Sequence, residues 1–163
     1  MKPREFITSR FKRQISRLRH RRGHGVHSPY IYNIVREVFM RRRPTHQQSA
    51  MQETLIELGI QKRCAVEIEN LRHHCGLSSF GVDTLKPHDM VICSMEYTLE
   101  HTLQAVKNGV ESGTTIVILS PHATPQRGAM CDKIVAQHHS TTLNRRGYLV
   151  IFNNHLPKQH FVL

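Results

Sequence analysis

The chain has 163 residues, a formal net charge of +11, and 39% hydrophobic residues. This length and apolar content suit one domain with one core, and no apolar run approaches the roughly 20 residues of a membrane-spanning helix. The N-terminal segment is charged and lacks the apolar stretch of a secretory signal. No two cysteines form a CxxC pair, so we expect a cytoplasmic protein in which all of them are reduced. The cysteines are Cys64, Cys75, Cys93 and Cys131.

The excess positive charge is confined to the first quarter of the chain. Residues 1–43 contain 13 Lys and Arg against 2 acidic residues, a balance of +11, whereas residues 44–163 contain 10 of each. A neutral body with a basic extension favours contact with nucleic acid or another polyanion, while the alternative is a solvated face that aids solubility. No aromatic RNA-binding motif is present, so such contacts would be to phosphates. The candidate phosphate-binding residues are Arg13, Arg17, Arg21, Arg22, Arg41, Arg42 and Arg43.

Three helices are predicted in the first third of the chain. Apolar residues at helical spacing predict the first over residues 3–20. Ser28 as N-cap and Pro29 at the first helical position predict the start of the second. Its apolar stripe would be Ile31, Ile34, Val35, Val38 and Phe39. The third would run from about 46 to 58 and end at Gly59. Its inner face would be Met51, Leu55 and Leu58.

A strand–helix–strand unit is the clearest pattern further along the chain. Asp89–Met95 and Thr114–Leu119 are nearly continuous apolar runs on either side of a helix predicted over 97–111, which is typical of buried parallel strands. The inner face of that helix would be Leu99, Leu103, Val106 and Val110. A short strand is predicted at Cys64–Glu69, and a weaker one around Phe80–Asp83.

The last third predicts one more helix and three short strands. The helix would cover about 125–138 and bury Met130 and Ile134. The strands would be Thr141–Asn144, Tyr148–Phe152 and Gln159–Leu163. Because short loops cannot join parallel neighbours, these strands are predicted to be an antiparallel addition to a mostly parallel sheet. We interpret residues 1–44 as a basic helical extension and 45–163 as a shortened α/β domain, the two forming one compact unit.

Two segments carry a resemblance to a known family. Arg22–Tyr32 reads RGHGVHSPYIY and Pro157–Leu163 reads PKQHFVL. With the strand and helix pattern of residues 89–163, they resemble bacterial class I S-adenosylmethionine (SAM)-dependent methyltransferase-like proteins with an HGxHSP motif. The resemblance implies a small Rossmann-like fold, SAM as the cofactor, and methyl transfer as the reaction.

The sequence departs from that family where the cofactor would bind. Such proteins hold SAM on a glycine-rich loop after their first strand, because glycine lets the backbone approach the ligand. Here the predicted strand Cys64–Glu69 leads into NLRHHC, with no glycine before Gly76, and the first half is short. Relatives often have an acid after the fourth strand, where this chain has Ser94-Met95-Glu96. These departures favour a degenerate and inactive member over an active enzyme.

Several residues are candidates for the site. An acid at the carboxyl end of a strand holds ribose hydroxyls in related folds, so Glu69 and Asp83 are the predicted cofactor-binding residues, although a plain strand-end position explains them too. The front motif supplies residues that could contact substrate or transfer protons, or that simply cap a helix and fasten it to the body. They are His24, His27, Ser28 and Tyr30.

Other chemistry has little support in the sequence. There is no GxSxG, P-loop or HExxH motif, so we name no catalytic base. His73, His74 and Cys75 together with Cys64 lack the paired spacing of a zinc site, and no metal is expected. Three functions stay open: a degenerate methyltransferase-like protein, a non-catalytic module whose basic arm binds nucleic acid or an acidic partner, and a structural partner of a complete relative.

Overall fold

The computed structural model describes residues 28–41, 43–44 and 49–163. The helices are α1 (Pro29–Ile34) with its π-helical continuation (Val35–Phe39), α2 (Ala50–Glu57), α3 (Lys62–His74), α4 (Leu99–Ser112) and α5 (Pro125–Gln137). The strands are β1 (Phe80–Val82), β2 (Met90–Cys93), β3 (Thr115–Leu119), β4 (Thr142–Arg145), β5 (Tyr148–Ile151) and β6 (His160–Val162). The first predicted helix, over residues 3–20, lies outside the described residues.

The strands form one mostly parallel sheet, ordered β1-β2-β3-β5-β4-β6 in the described part of the chain. β1, β2 and β3 pair in parallel, with Ile92 opposite both Val82 and Val117. β5 runs antiparallel to both of its neighbours, β3 and β4, and β6 pairs in parallel with β4. This is an α/β architecture consistent with a Rossmann-like fold, and β5 alone among the described strands is reversed.

Helices cover both faces of the sheet because its strands are apolar on both sides. Successive side chains of a strand point to opposite faces. Met90 and Ile92 therefore pack with α1, α2 and α3 in one core cluster. Val91 and Cys93 pack with α4 and α5 in the other. The predicted parallel unit over residues 89–120 is confirmed, as is the helix that follows it.

The helix that starts at Ser28 is also confirmed. The Ser28 hydroxyl accepts a hydrogen bond from the Ile31 N–H at 3.4 Å, and Pro29 occupies the first turn. All five residues of the predicted stripe are buried. The third predicted helix is shorter than expected within the described residues, Ala50–Glu57, and ends before Gly59, which takes a positive φ of 78°. Leu58, predicted on its inner face, is exposed.

The predicted strand at Cys64–Glu69 is wrong, since these residues lie within helix α3. The short apolar run was ambiguous between strand and helix. Ala65, Ile68 and Leu71 recur every three residues and are buried against the sheet, so the buried contact is available only to a helix. The predicted strand at Phe80–Asp83 is present as β1, one residue shorter.

Two finer predictions also need correction. On α4, only Val106 of the predicted inner face is buried; Leu99, Leu103 and Val110 are exposed. The helix instead faces the sheet with small residues. One of them is Gly109, which lies so close to Ile116 that an added Cβ would be 3.2 Å from the Ile116 side chain. Of the three closing strands, only β5 is antiparallel to the main direction, because β6 passes β5 and pairs with β4.

Candidate functional site at the carboxyl edge of the sheet

The carboxyl ends of the parallel strands meet at one edge of the sheet, where open α/β folds bind ligands. Two residues at this edge have strained backbones. Asp83 follows β1 with φ 47°, and Ser120 follows β3 with φ 46°; among the described residues they are the non-glycine residues with positive φ. Such conformations are costly for a side chain bearing a Cβ and are enriched at functional sites.

The Asp83 turn is closed by its neighbour. The Asp83 carboxylate accepts hydrogen bonds from the Ser94 N–H at 2.7 Å and from the Ser94 hydroxyl at 2.5 Å. Ser94 directly follows β2 and is itself buried. The acid predicted to hold a ribose therefore already binds the end of the adjacent strand with both of its oxygens. It acts as a brace between β1 and β2.

The turns at this edge do not fit the cofactor that the resemblance implies. None of the three segments that follow β1, β2 and β3, residues 83–89, 94–98 and 120–124, contains a glycine. The first of them joins β1 to β2 without a helix. Gly81, in β1 itself, is occupied by protein, since an added Cβ would lie 2.6 Å from His88. Within the described residues, no strand–glycine loop–helix unit is available to cradle SAM.

A buried arginine joins the ends of β2 and β3. Arg127, in the first turn of α5, is 2% exposed. Its guanidinium donates to the carbonyl oxygens of Leu119 at 3.0 and 3.2 Å, Ser94 at 2.8 Å and Cys93 at 3.3 Å. No described carboxylate makes an ion pair with it. The positive charge of Arg127 therefore lies next to the ends of β2 and β3, where carbonyl dipoles stabilise it.

The Ser120 turn opens to a cavity of about 340 Å³. Its walls are the segment before α5, the β4–β5 hairpin and the end of β6. The lining residues are Ser120, Pro121, His122, Ala123, Asn144, Arg145, Arg146, Gly147, Val162 and Leu163. None of the lining side chains is an Asp or a Glu, so the charged side chains of the wall, Arg145 and Arg146, are positive, and they lie beside apolar residues such as Val162 and Leu163.

One of its two arginines is fixed by a buried acid. Arg145 donates to Glu67 at 2.7 and 3.1 Å and lies over the ring of Phe39. Burial by itself would lower the pKa of Arg145, but the hydrogen bonds and charge of Glu67 outweigh it and raise that pKa. Glu67 also accepts from the Tyr148 hydroxyl at 3.0 Å, and burial followed by the Glu67 charge raises the Tyr148 pKa. The charge of Arg145 is thus offset.

The other predicted cofactor-binding residue, Glu69, lies away from this edge, in α3, rather than at a strand end. Its carboxylate is buried, accepts a hydrogen bond from the Ser49 hydroxyl and lies 3.6 Å from His73 Nε2. Its Oε2 has no hydrogen-bond partner among the described residues. The strand-end argument that singled out Glu69 is wrong, because Glu69 is a residue of helix α3.

The front motif is described only in part. His24 and His27 lie outside the described residues. Ser28 caps α1, and the Tyr30 hydroxyl lies 3.3 Å from Cys75 Sγ at the end of α3. Burial raises the pKa of Tyr30 above its ordinary value, and its ring packs edge-on against Phe152. Ser28 therefore caps α1, and Tyr30 fastens α1 to the body of the domain.

The predicted phosphate-binding arginines are mostly beyond the described residues: Arg13, Arg17, Arg21, Arg22 and Arg42. Arg41 and Arg43 are described and exposed. Arg41 forms an ion pair with Glu37, one helical turn earlier. The Arg43 carbonyl oxygen accepts a hydrogen bond from the Asn70 side-chain amide at 3.2 Å.

Metal ligation and membrane insertion find no support in the described part of the chain. No three His, Cys, Asp or Glu side chains there are grouped to hold a metal ion. No described helix is both long and apolar enough to cross a bilayer. All four cysteines are free thiols, and burial raises the pKa of Cys93 to about 12, which makes it a poor nucleophile.

Comparison with known proteins identifies no family for this chain, so a functional assignment must be argued from the site described above. No protein-family model, curated protein or solved structure matches this chain.

Sequence reasoning missed the residues that shape the cavity. Ser120, Arg127 and Arg146 were not among the candidates, because they are far apart in sequence and belong to no known motif. One signal was available: Ser120 ends a buried apolar run at the sheet edge where ligands bind. A second was the Arg145-Arg146 pair, which lies at a hairpin in the otherwise neutral body of the chain.

Proposed function

We propose that this chain is a reduced, catalytically inactive methyltransferase-like protein that works by binding rather than by methyl transfer. The observation that carries the proposal is the link from β1 to β2. Residues 83–89 return directly to the next strand with no helix and no glycine. A dinucleotide- or SAM-type site depends on backbone N–H groups of a glycine loop and a helix N-terminus.

The acids at this edge support the same conclusion. The nearest candidate for a ribose contact, Asp83, uses its carboxylate to brace Ser94. In the family that the sequence resembles, an acid often follows the fourth strand, where this chain has Ser94-Met95-Glu96. Without a glycine cradle, binding energy for the sulfonium donor is lost, and with it the in-line positioning on which methyl transfer depends.

The experiment is a titration with SAM and S-adenosylhomocysteine, followed by calorimetry and by the melting temperature. A ligand at 100 times its Kd would stabilise the fold by about 2.7 kcal/mol. We expect no heat of binding and no rise in melting temperature at millimolar ligand. Saturable binding of either compound with a matching rise in melting temperature would overturn the inactive assignment.

A second candidate is a polyanion-binding module that uses the basic segment 1–43. The observation that favours it is the charge distribution, +11 in that segment against zero in the remainder. Phosphate contacts by Lys and Arg release counterions, so the affinity must fall steeply as salt rises. The described arginines of the segment, Arg41 and Arg43, are exposed, and Arg41 also pairs with Glu37.

The test is nucleic-acid binding by the full chain over a range of salt concentrations. We expect a linear fall of log K with log salt, and weaker binding when Arg41, Arg42 and Arg43 are all replaced by Gln. The ion pair of Arg41 is a surface pair worth at most about 1 kcal/mol, so the fold should persist. Replacing Lys107 and Lys133, exposed on α4 and α5, is the control. Affinity that is independent of salt would exclude this function.

A further inference from the structure

The cavity beside Ser120 has the lining expected of an anion site. It is bordered by Arg146, His122 and Asn144, and its wall has no acidic side chain. The Asn144 amide nitrogen lies 3.3 Å from His122 Nε2, and the His122 ring packs against α5, where a Cβ on Gly128 would lie 3.4 Å from Nδ1. These contacts hold the Asn144 amide and the His122 ring in place at the exposed mouth of the cavity.

Arg146 is the group whose charge is not offset. Its neighbour Arg145 is engaged by Glu67, whereas Arg146 forms no ion pair within the described residues and is exposed at the mouth of the cavity. A guanidinium offers a planar set of N–H donors that matches phosphate oxygens. An anion in the cavity would therefore meet an available positive charge.

Ser120 adds a second, independent observation. Its backbone is held at φ 46° by a hydrogen bond from its N–H to the Gly147 carbonyl oxygen at 2.7 Å. Its hydroxyl makes no hydrogen bond to any described residue, although it lines the cavity. Strain of this kind persists where the surrounding structure imposes it and is common at ligand sites. In the Asp83 turn, the hydrogen bonds of the side chain to Ser94 offset the backbone strain. In the Ser120 turn, no hydrogen bond of the side chain to a described residue does so.

Two features behind the cavity add positive potential. The segment Ser120–Ala123 leads directly into α5, a helix of 13 residues whose N-terminus carries a partial positive charge. Buried Arg127 binds the carbonyl oxygen of Leu119, the residue before Ser120, and has no carboxylate partner among the described side chains. Both favour a ligand with negative charge.

From these observations we infer that this cavity binds the phosphate group of a small phosphorylated molecule. Its volume of about 340 Å³ lies at the lower end of the range for small-molecule sites. It has room for a phosphate with a small organic group. The inference does not depend on whether the chain binds SAM, because the cavity lies at β3, β4 and β6 rather than at β1.

The experiment is a calorimetric titration of the full chain with pyrophosphate at constant ionic strength of about 0.15 M, where charges on exposed surfaces are screened beyond about 8 Å. We expect saturable binding. Arg146→Gln should weaken it about ten-fold or more, because one charge-assisted hydrogen bond is lost. Ser120→Gly should weaken it about five-fold without lowering the melting temperature, since glycine adopts this φ freely.

Arg63→Gln is the matched control. Arg63 is exposed like Arg146, but it forms an ion pair with Glu67 at 3.2 Å and does not line the cavity. Its replacement should change the Kd by less than about two-fold. Absence of saturable binding, or equal losses for Arg146→Gln and Arg63→Gln, would overturn the site in favour of diffuse surface charge. Displacement of pyrophosphate by a much tighter-binding oligonucleotide would overturn the small-ligand assignment.

Discussion

The two strained turns at the carboxyl edge of the sheet have nearly the same backbone and opposite surroundings. Asp83 and Ser120 each follow a parallel strand, and their φ values are 47° and 46°. The Asp83 side chain is bound to Ser94, while the Ser120 side chain faces a cavity without a partner among the described residues. Backbone strain alone therefore does not identify a ligand site. What distinguishes the two turns is whether the side chain is satisfied within the fold.

The same difference separates the two halves of this edge. In the β1–β2 half, where the resemblance would place the cofactor, Asp83 is bound to Ser94 and the space beside Gly81 is occupied by His88. The half formed by β3, β4 and β6 keeps an open space with positive charge. We expect substitutions in the first half to change stability and substitutions in the second half to change binding.

The largest effect is expected at Arg127, which links both halves. Arg127→Met removes the hydrogen bonds to Leu119, Ser94 and Cys93 and leaves buried carbonyl oxygens unpaired. We expect a loss of about 3 kcal/mol in the free energy of unfolding, measured with urea. Arg127→Lys keeps the charge but not the planar donor geometry and should lose less. A loss below about 1 kcal/mol for Arg127→Met would show that the link is not structural.

The next effect tests the two turns directly. Asp83→Ala removes both hydrogen bonds to Ser94 and keeps the strained φ, so the free energy of unfolding should fall by about 2 kcal/mol. Ser120→Ala also keeps the strain but removes no hydrogen bond, and its effect should stay below about 0.5 kcal/mol. Urea unfolding of the pair measures the difference. Equal destabilisation by the two substitutions would contradict the contrast drawn between the turns.

The smallest effect lies at the opposite edge of the sheet, at Asp89 before β2. Hydrogen bonds from the Ser78 hydroxyl and then from Ser79 lower the pKa of Asp89 to about 2. An unfolded Asp titrates near 3.9, so this stabilisation is present above about pH 4 and is lost as the pH falls towards about 2. The urea midpoint of the protein should approach that of Asp89→Asn over this range. A difference in urea midpoint between the two proteins that does not change with pH would contradict this role of Asp89. Pyrophosphate binding should be the same in both proteins.

Much of the fold could be predicted from local pattern. The runs Asp89–Met95 and Thr114–Leu119 are apolar on both faces, and the intervening helix has the length of a crossover, so a parallel pair was the expected result. Ser28 and Pro29 identified a helix start because capping depends on adjacent residues. These predictions rest on patterns within single elements and on the lengths of elements that follow one another in the chain.

Other features depended on tertiary contacts. Residues Cys64–Glu69 have a short apolar pattern that suits either a strand or a helix, and only the surface of the sheet on which they pack decided for the helix. The buried face of α4 was likewise decided by fit, since Gly109 allows the helix to approach Ile116 closely. Neither choice is encoded in the local period of apolar residues.

By itself, then, the sequence determined the α/β class, the central parallel unit and the segregation of charge, because periodicity, capping and composition act locally. Only the tertiary structure decided that β6 pairs with β4, that Asp83 is used as a brace, and that Ser120, Arg127 and Arg146 meet at one edge. These residues are separated by up to 26 positions and act through packing and hydrogen bonds between different elements. A linear sequence carries no direct signal for such contacts.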